Sequence, residues 1–96
     1  MLKLVISPQA LRDLEGVFDY TLKNWSYDQA VKYTSVLDGC LNDLSFGKIE
    51  GRDYLHSVEI YKMIKSGKHI IFYRLENEKC IIIRILHENM DFDSAF

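Results

Sequence analysis

The sequence has few cysteines, prolines and glycines, the residues that cross-link a chain, interrupt its helices or increase its flexibility. Its 96 residues include one proline, five glycines and two cysteines. Without a proline- or serine-rich tract, no linker and no long disordered tail is predicted. Cys40 and Cys80 stand alone, with no CxxC pair, so we expect neither a disulfide framework nor a zinc knuckle.

Long apolar runs and an excess of one charge are also missing. No run approaches the roughly 18 apolar residues of a membrane span. No secretory signal is recognisable at the N-terminus, so we expect a cytoplasmic protein that does not bind membranes. Twelve basic residues against 14 acidic ones give a formal net charge of −2. That balance argues against coating nucleic acid through an overall positive field, and we expect no direct nucleic-acid binding.

Common catalytic and ligand-binding motifs are absent. The sequence contains no GxSxG, P-loop, GxGxxG or calcium-loop pattern, which removes the support for esterase and nucleotide-binding functions. His56, His69 and His87 are too widely spaced for a helical or knuckle zinc site, so we expect no metal and no cofactor. His69 and His87 are interpreted as imidazoles at strand ends rather than as catalytic groups.

The residues that are present predict one compact domain spanning residues 1–96, since 48% of them are apolar. Leu2 to Ser7 predicts a short strand. Ser7-Pro8 is typical of a helix start, because serine caps and proline suits the first turn. Apolar residues then recur every three or four positions as far as Trp25, and again in a second helix capped by Ser26. A break this short predicts an antiparallel helical hairpin.

After a predicted loop over Phe46 to Asp53, the apolar period changes to two. Three strands are predicted, rich in β-branched and aromatic residues, at Val58 to Lys65, Lys68 to Glu76 and Lys79 to His87. Ser66-Gly67 and Asn77-Glu78 supply hairpin turns between them. The predicted fold is α+β: an N-terminal strand and a helical hairpin packed on a mainly antiparallel sheet that ends in a three-stranded meander. The other sheet face is expected to be open to solvent or a partner.

Basic residues concentrate in the predicted hairpin. Ile60 to Leu75 contains no acid, and its cations are Lys62, Lys65, Lys68 and Arg74, together with His69. Either these lysines protect a solvated hairpin from edge pairing or they form a recognition surface for an acidic partner.

Among the aromatic residues, Trp25 and Phe72 are predicted to lie in the core. Tyr20, Tyr27 and Tyr61 occupy less apolar positions of the pattern and could be exposed. Residues 88 to 96 carry three large apolar side chains, too many for a free tail. We expect Met90 or Phe92 to pack on the sheet and Phe96 to remain available to a partner.

Several segments together resemble a known family. They are Ser7-Pro8 after the first strand, Asp13-Leu14, Asp19-Tyr20-Thr21, the stretch Gly67-Lys68-His69-Ile70-Ile71-Phe72-Tyr73-Arg74, and Ile83 to Asp91. In this order and spacing the chain resembles the ParE branch of the RelE/ParE toxin superfamily over nearly its whole length.

The resemblance implies a non-enzymatic bacterial toxin that inhibits DNA gyrase and so blocks replication. It also implies a ParD-type antitoxin that neutralises the toxin in a hetero-oligomer. The candidate partner-binding residues are Lys62, Lys65, Lys68, His69, Arg74, His87, Met90 and Phe96.

Two alternatives stay open: a ribosome-dependent messenger-RNA endonuclease of the RelE type, and a degenerate module that binds antitoxin without being toxic. The nuclease is disfavoured because His69 stands where that branch usually has an arginine. In addition, Asp91 and Asp93 offer carboxylates where a phosphate-cleaving site needs positive charge.

Overall fold

A computed structural model describes residues 1–96. Its five-stranded sheet has the order β1-β5-β4-β3-β2, with β1 parallel to β5 and the other neighbours antiparallel. None of the helices is both long and apolar enough to cross a membrane. The elements are β1 (Lys3–Ile6), α1 (Pro8–Asn24), α2 (Tyr27–Ser45), β2 (Arg52–His56), β3 (Glu59–Ser66), β4 (His69–Glu76), β5 (Lys79–His87) and the short α3 (Phe92–Ala95).

Both long helices begin at the predicted caps. The Ser7 hydroxyl accepts the Ala10 N–H at 3.0 Å, and the Ser26 hydroxyl accepts the Gln29 N–H at 3.1 Å. Each bond satisfies one of the backbone donors that a helix start leaves unpaired. Ser7 also donates to the Ile83 carbonyl at 2.8 Å. This bond ties the turn between β1 and α1 to the second half of β5.

The main core lies between the helical hairpin and one face of the sheet. Leu37 and Leu41 from α2 are almost fully buried against Ile71, Tyr73 and Ile82. At about 25 cal/mol per Å² of apolar surface, the burial of such side chains is the main stabilising contribution. The predicted α+β fold with a helical hairpin on the sheet is confirmed.

The meander has one strand more than the sequence predicted. Arg52–His56 was assigned partly to a loop, but it pairs with β3 through a two-residue turn at Ser57-Val58. Ser57 adopts a φ of 58°, a left-handed conformation that is uncommon outside glycine and asparagine. The five-residue strand was missed because it is short and its turn lacks the usual glycine or asparagine.

The second sheet face is covered, contrary to the expectation that it would be open. Ile70, Phe72 and Leu86 form a smaller buried cluster on that face. Phe92 and Phe96, in and after α3, pack against it with ring centroids 5.1 and 5.0 Å from that of Phe72. Phe92 therefore packs as predicted, but Phe96 is not left free. Its ring has neighbours that sequence spacing could not reveal, because they lie on other strands.

Candidate functional site: a groove beside β5

A groove of about 840 Å³ lies between α1, the start of α2 and the outer half of β5. It exists because β1 pairs only with Lys79–Ile82 of β5. Beyond Ile82, β5 has no neighbouring strand on its outer side, and α1 runs beside it instead. The groove therefore combines a helix surface with a strand edge.

Two histidines meet at one end of the groove. His69 begins β4 and His87 ends β5, and they are register partners in the sheet. Their ring centroids are 5.4 Å apart with the rings edge to face. Burial, followed by the proximity of His87, lowers the pKa of His69. Burial therefore disfavours the charged form of His69.

Tyr33 from α2 fixes the position of His69. The Tyr33 hydroxyl accepts the Lys68 N–H at 2.8 Å and lies 2.6 Å from His69 Nδ1. The hydroxyl proton is then free to be donated to Nδ1, which places the imidazole proton on Nε2. Gly67 makes room for this arrangement, because a Cβ there would lie 2.7 Å from the Tyr33 oxygen.

Replacing Tyr33 by phenylalanine removes both hydrogen bonds while keeping the ring. We expect the free energy of unfolding to fall by about 1 to 2 kcal/mol, because the Lys68 N–H and His69 Nδ1 lose their partner. Denaturant unfolding measures the change. Tyr20→Phe is the matched control, since Tyr20 is exposed at the groove rim, and it should change stability by less than about 0.5 kcal/mol. Equal effects of the two variants would contradict the assigned role of Tyr33.

An ion pair closes the middle of the groove. Arg84 Nε and Nη2 donate to Asp13 Oδ2 and Oδ1 at 2.8 and 3.0 Å. Asp13 Oδ2 also accepts the Ile85 N–H at 2.9 Å. The hydrogen bond to Asp13 raises the pKa of Arg84 further. A bidentate, charge-assisted pair of this kind fixes α1 against β5.

Aromatic side chains form the groove rim. Trp25, predicted to lie in the core, is 74% exposed, and Tyr20 is exposed as well. The prediction failed because α1 ends at Asn24. Trp25 is thus the cap residue and projects from the turn rather than from the buried helix face. Met90 is also exposed at this groove. Large exposed apolar groups collected in one groove are typical of a protein-binding surface.

The predicted site residues do not form one site. The groove brings together Lys68, His69, His87 and Met90. Lys62 and Arg74 lie at a separate shallow depression, and Phe96 lies on the second sheet face. Lys65 pairs with Glu88 at 3.2 Å.

Carboxylates pair with most of the positively charged side chains of the basic hairpin. Lys62 lies 3.3 Å from Glu50 and 3.1 Å from Asp53. The bonds to these two carboxylates, to Asp53 first, raise the pKa of Lys62. Arg74 lies 3.4 Å from Glu59 and 3.3 Å from Glu76. Lys68 is the cation of the hairpin that faces the groove.

Sequence reasoning did not select the residues that shape the groove most directly. Asp13, Tyr33 and Arg84 are far apart in the chain, and no spacing rule brings them together. The only signal was indirect, because Asp13 and Arg84 fall within the segments that carry the family resemblance.

Comparisons with known proteins agree with this fold. A family model described as "ParE toxin of type II toxin-antitoxin system, parDE" matches residues 4–92. The chain is 32% identical over 92 residues to a protein named "Toxin ParE1" from Mycobacterium tuberculosis, covering 95% of this chain and 94% of the relative. It is 28% identical over 86 residues to a "Toxin ParE1" from Caulobacter vibrioides, covering 90% and 88%.

A solved structure has the same fold. In "Chromosomal ParDE TA system from P. aeruginosa", one chain superposes with a TM-score of 0.77 at 18% identity, covering 91% of this chain and 96% of that one. This structural likeness confirms the topology, including the meander. From the family match and the 32% identity over almost the full length, we conclude that the chain belongs to the ParE toxin family of type II toxin-antitoxin systems.

Proposed function

We propose that this ParE-type toxin acts by binding, without catalysis: it inhibits DNA gyrase in the bacterial cytoplasm and is neutralised there by a ParD-type antitoxin. Family membership supports the toxin role. The observation that carries the binding mechanism is the groove beside β5, with Trp25, Tyr20 and Met90 exposed along it. Exposed aromatic and methionine side chains collected in one groove suit a protein partner.

The antitoxin is the partner that we assign to the groove. An amphipathic segment could place apolar side chains against Tyr20 and Trp25. Lys68 and Arg12 line the same groove and would favour an acidic segment, mainly by raising the association rate. The resulting complex would be a toxin-antitoxin hetero-oligomer.

The state of Arg84 and His69 supports a mechanism without phosphate chemistry. RNA cleavage requires positive groups aimed at the phosphate oxygens as charge develops there. Arg84 is already bound by Asp13, and burial disfavours the charged form of His69. A carboxylate beside the only groove arginine on the sheet would also repel a phosphate.

One observation favours the ribonuclease alternative. His69 and His87 lie edge to face at one end of the groove, and two imidazoles can serve as general base and general acid. RelE-type cleavage of messenger RNA on the ribosome is therefore the second candidate.

Two assays on the purified protein separate the candidates. With gyrase and supercoiled plasmid, we expect accumulation of gyrase-DNA cleavage complexes. With translating ribosomes, we expect no defined cuts in messenger RNA. Adding a cognate antitoxin should abolish the gyrase effect. Ribosome-dependent cuts that disappear in His87→Ala would contradict the proposal and support the nuclease. Antitoxin binding with neither effect would identify a module that has lost toxicity.

A further inference from the structure

Arg84 contacts structures on both faces of the sheet. Toward the groove, its Nε and Nη2 are held by the Asp13 carboxylate. Its third nitrogen, Nη1, donates to the carbonyl oxygen of Ala95, the last residue of α3. Because α3 packs on the second sheet face through Phe92 and Phe96, one guanidinium joins the groove to the C-terminal segment.

The two ends of this contact are geometrically linked. The guanidinium is planar and rigid, so two bonds to Asp13 also fix the direction in which Nη1 points. Asp13 and Arg84 are only 15% and 16% exposed, so water competes little for their bonds. Asp13 forms its salt bridge with Arg84. The position of the Ala95 contact therefore depends on Asp13.

The C-terminal segment has few bonds of its own. α3 is only four residues long, too short to be stable alone. The side chain of Asp91, at its N-cap, accepts from the Ser94 hydroxyl at 2.9 Å but makes no capping hydrogen bond to a backbone N–H. Asp93 accepts from Tyr54 at 2.6 Å and lies 3.2 Å from His56 Nδ1. Besides these bonds and the aromatic packing, the Arg84 contact satisfies a carbonyl that the helix end leaves open.

We propose that Arg84 is a positioning residue that couples the groove to residues 92–96. An occupant of the groove that breaks the Asp13–Arg84 bonds leaves Nη1 without a fixed direction and so weakens the Ala95 contact that helps to hold the C-terminal segment on the second sheet face. By thermodynamic linkage, docking of that segment weakens binding of such an occupant. The identity of the occupant as the antitoxin rests on the function proposed above. The coupling is a property of the free chain.

Release would uncover a second surface. Phe72, Tyr54 and Tyr61 lie under the Phe96 ring, with centroids 5.0, 6.0 and 4.8 Å from it. Undocking residues 92–96 would expose these aromatic rings together. Occupancy of the groove on one face would thereby change which apolar surface is presented on the other.

The coupling is tested on the free chain by amide hydrogen exchange, which needs neither gyrase nor antitoxin. The amides of Ala95 and Phe96 donate to Asp91 and Phe92 carbonyls at 3.0 and 2.8 Å, so they report docking of α3. In Asp13→Asn we expect these amides to exchange about tenfold faster relative to amides of β4, as local opening becomes easier. Arg84→Lys keeps the positive charge but loses the planar guanidinium that binds Asp13 through two nitrogens, and it should have the same effect.

Asp53→Asn is the matched control, because Asp53 pairs with Lys62 and contacts neither α1 nor α3. It should leave the Ala95 and Phe96 exchange rates unchanged. Normalising to β4 amides separates release of α3 from a general loss of stability. Unchanged relative exchange at Ala95 and Phe96 in Asp13→Asn would overturn the proposal, whatever Arg84→Lys or the gyrase assay shows, because Arg84→Lys also removes the direct bond to Ala95.

The reverse direction is tested in the full chain with Phe96→Ala, which weakens the packing of the C-terminal segment on the second sheet face. In the unsubstituted chain the side-chain Nε–H of Arg84 should be protected and visible by nuclear magnetic resonance, because it donates to Asp13. If the coupling exists, that proton should lose protection in Phe96→Ala, since the guanidinium is held less firmly from the side of α3. A purely local role for the Asp13–Arg84 pair predicts the same protection in both proteins, and that result would overturn the coupling.

Discussion

Phe72→Ala should lower the free energy of unfolding by about 3 to 5 kcal/mol, the usual range for removing a buried aromatic ring. Phe72 is fully buried. Its ring lies at the centre of the cluster on the second sheet face, with centroids 5.1 Å from both Tyr54 and Phe92. The loss should exceed the free energy of transferring the removed ring atoms from water into the core. The surrounding rings belong to β2 and α3 and cannot all move inward to fill the cavity. Denaturant unfolding monitored by circular dichroism measures it.

Phe46→Ala is the control for Phe72→Ala. Phe46 caps the end of α2 and is 54% exposed, so its removal should cost less than about 1 kcal/mol. A double-mutant cycle of Phe72→Ala with Phe96→Ala should give a coupling of about 0.5 to 1.5 kcal/mol, because the rings meet edge to face. A cost below about 1 kcal/mol for Phe72→Ala, or no coupling to Phe96, would contradict the docked position of α3.

Helix starts and hairpin turns could be predicted from the sequence, because capping and turn preferences depend on only a few neighbouring residues. Ser7-Pro8 and Ser26 predicted where α1 and α2 begin. Asn77 and Glu78 both adopt positive φ, as the predicted two-residue hairpin requires. The bounds of β5 were predicted correctly because its strand is long and apolar.

The errors come from contacts between residues distant in the chain. Trp25 fits the apolar helix period, but the helix ends one residue before it. Phe96 meets Tyr61 only after β3 and α3 are placed on the same face. Likewise, Asp13 and Arg84 become partners only because α1 lies beside the unpaired half of β5. Periodicity encodes which face of an element is apolar, but not which element will cover it.

Gly51→Ala should destabilise the protein by about 3 kcal/mol or more, from overpacking and a lost buried hydrogen bond together. Gly51 lies just before β2 and passes close to β3. A Cβ at residue 51 would lie 2.3 Å from the Met63 carbonyl oxygen and 2.8 Å from its carbonyl carbon. These are backbone atoms of a strand paired on both sides, so they cannot rotate away as a side chain would.

The same substitution would break a buried hydrogen bond. The Gly51 N–H donates to the Tyr73 hydroxyl at 2.6 Å, and Tyr73 is 1% exposed. Moving Gly51 away from β3 leaves that hydroxyl without its donor in the core. If so, Tyr73→Phe should cost less in the Gly51→Ala background than in the wild type, because the bond is already lost.

Gly39→Ala supplies a control of opposite sign for Gly51→Ala. Gly39 lies inside α2, and a Cβ there would meet nothing within 4 Å. Alanine should therefore stabilise the helix by about 0.5 to 1 kcal/mol, through its better helix propensity. Denaturant unfolding of both variants under one set of conditions should show shifts in opposite directions. If Gly51→Ala were as stable as Gly39→Ala, β2 would not enter the sheet against Met63, and the meander would consist of only the three strands β3, β4 and β5.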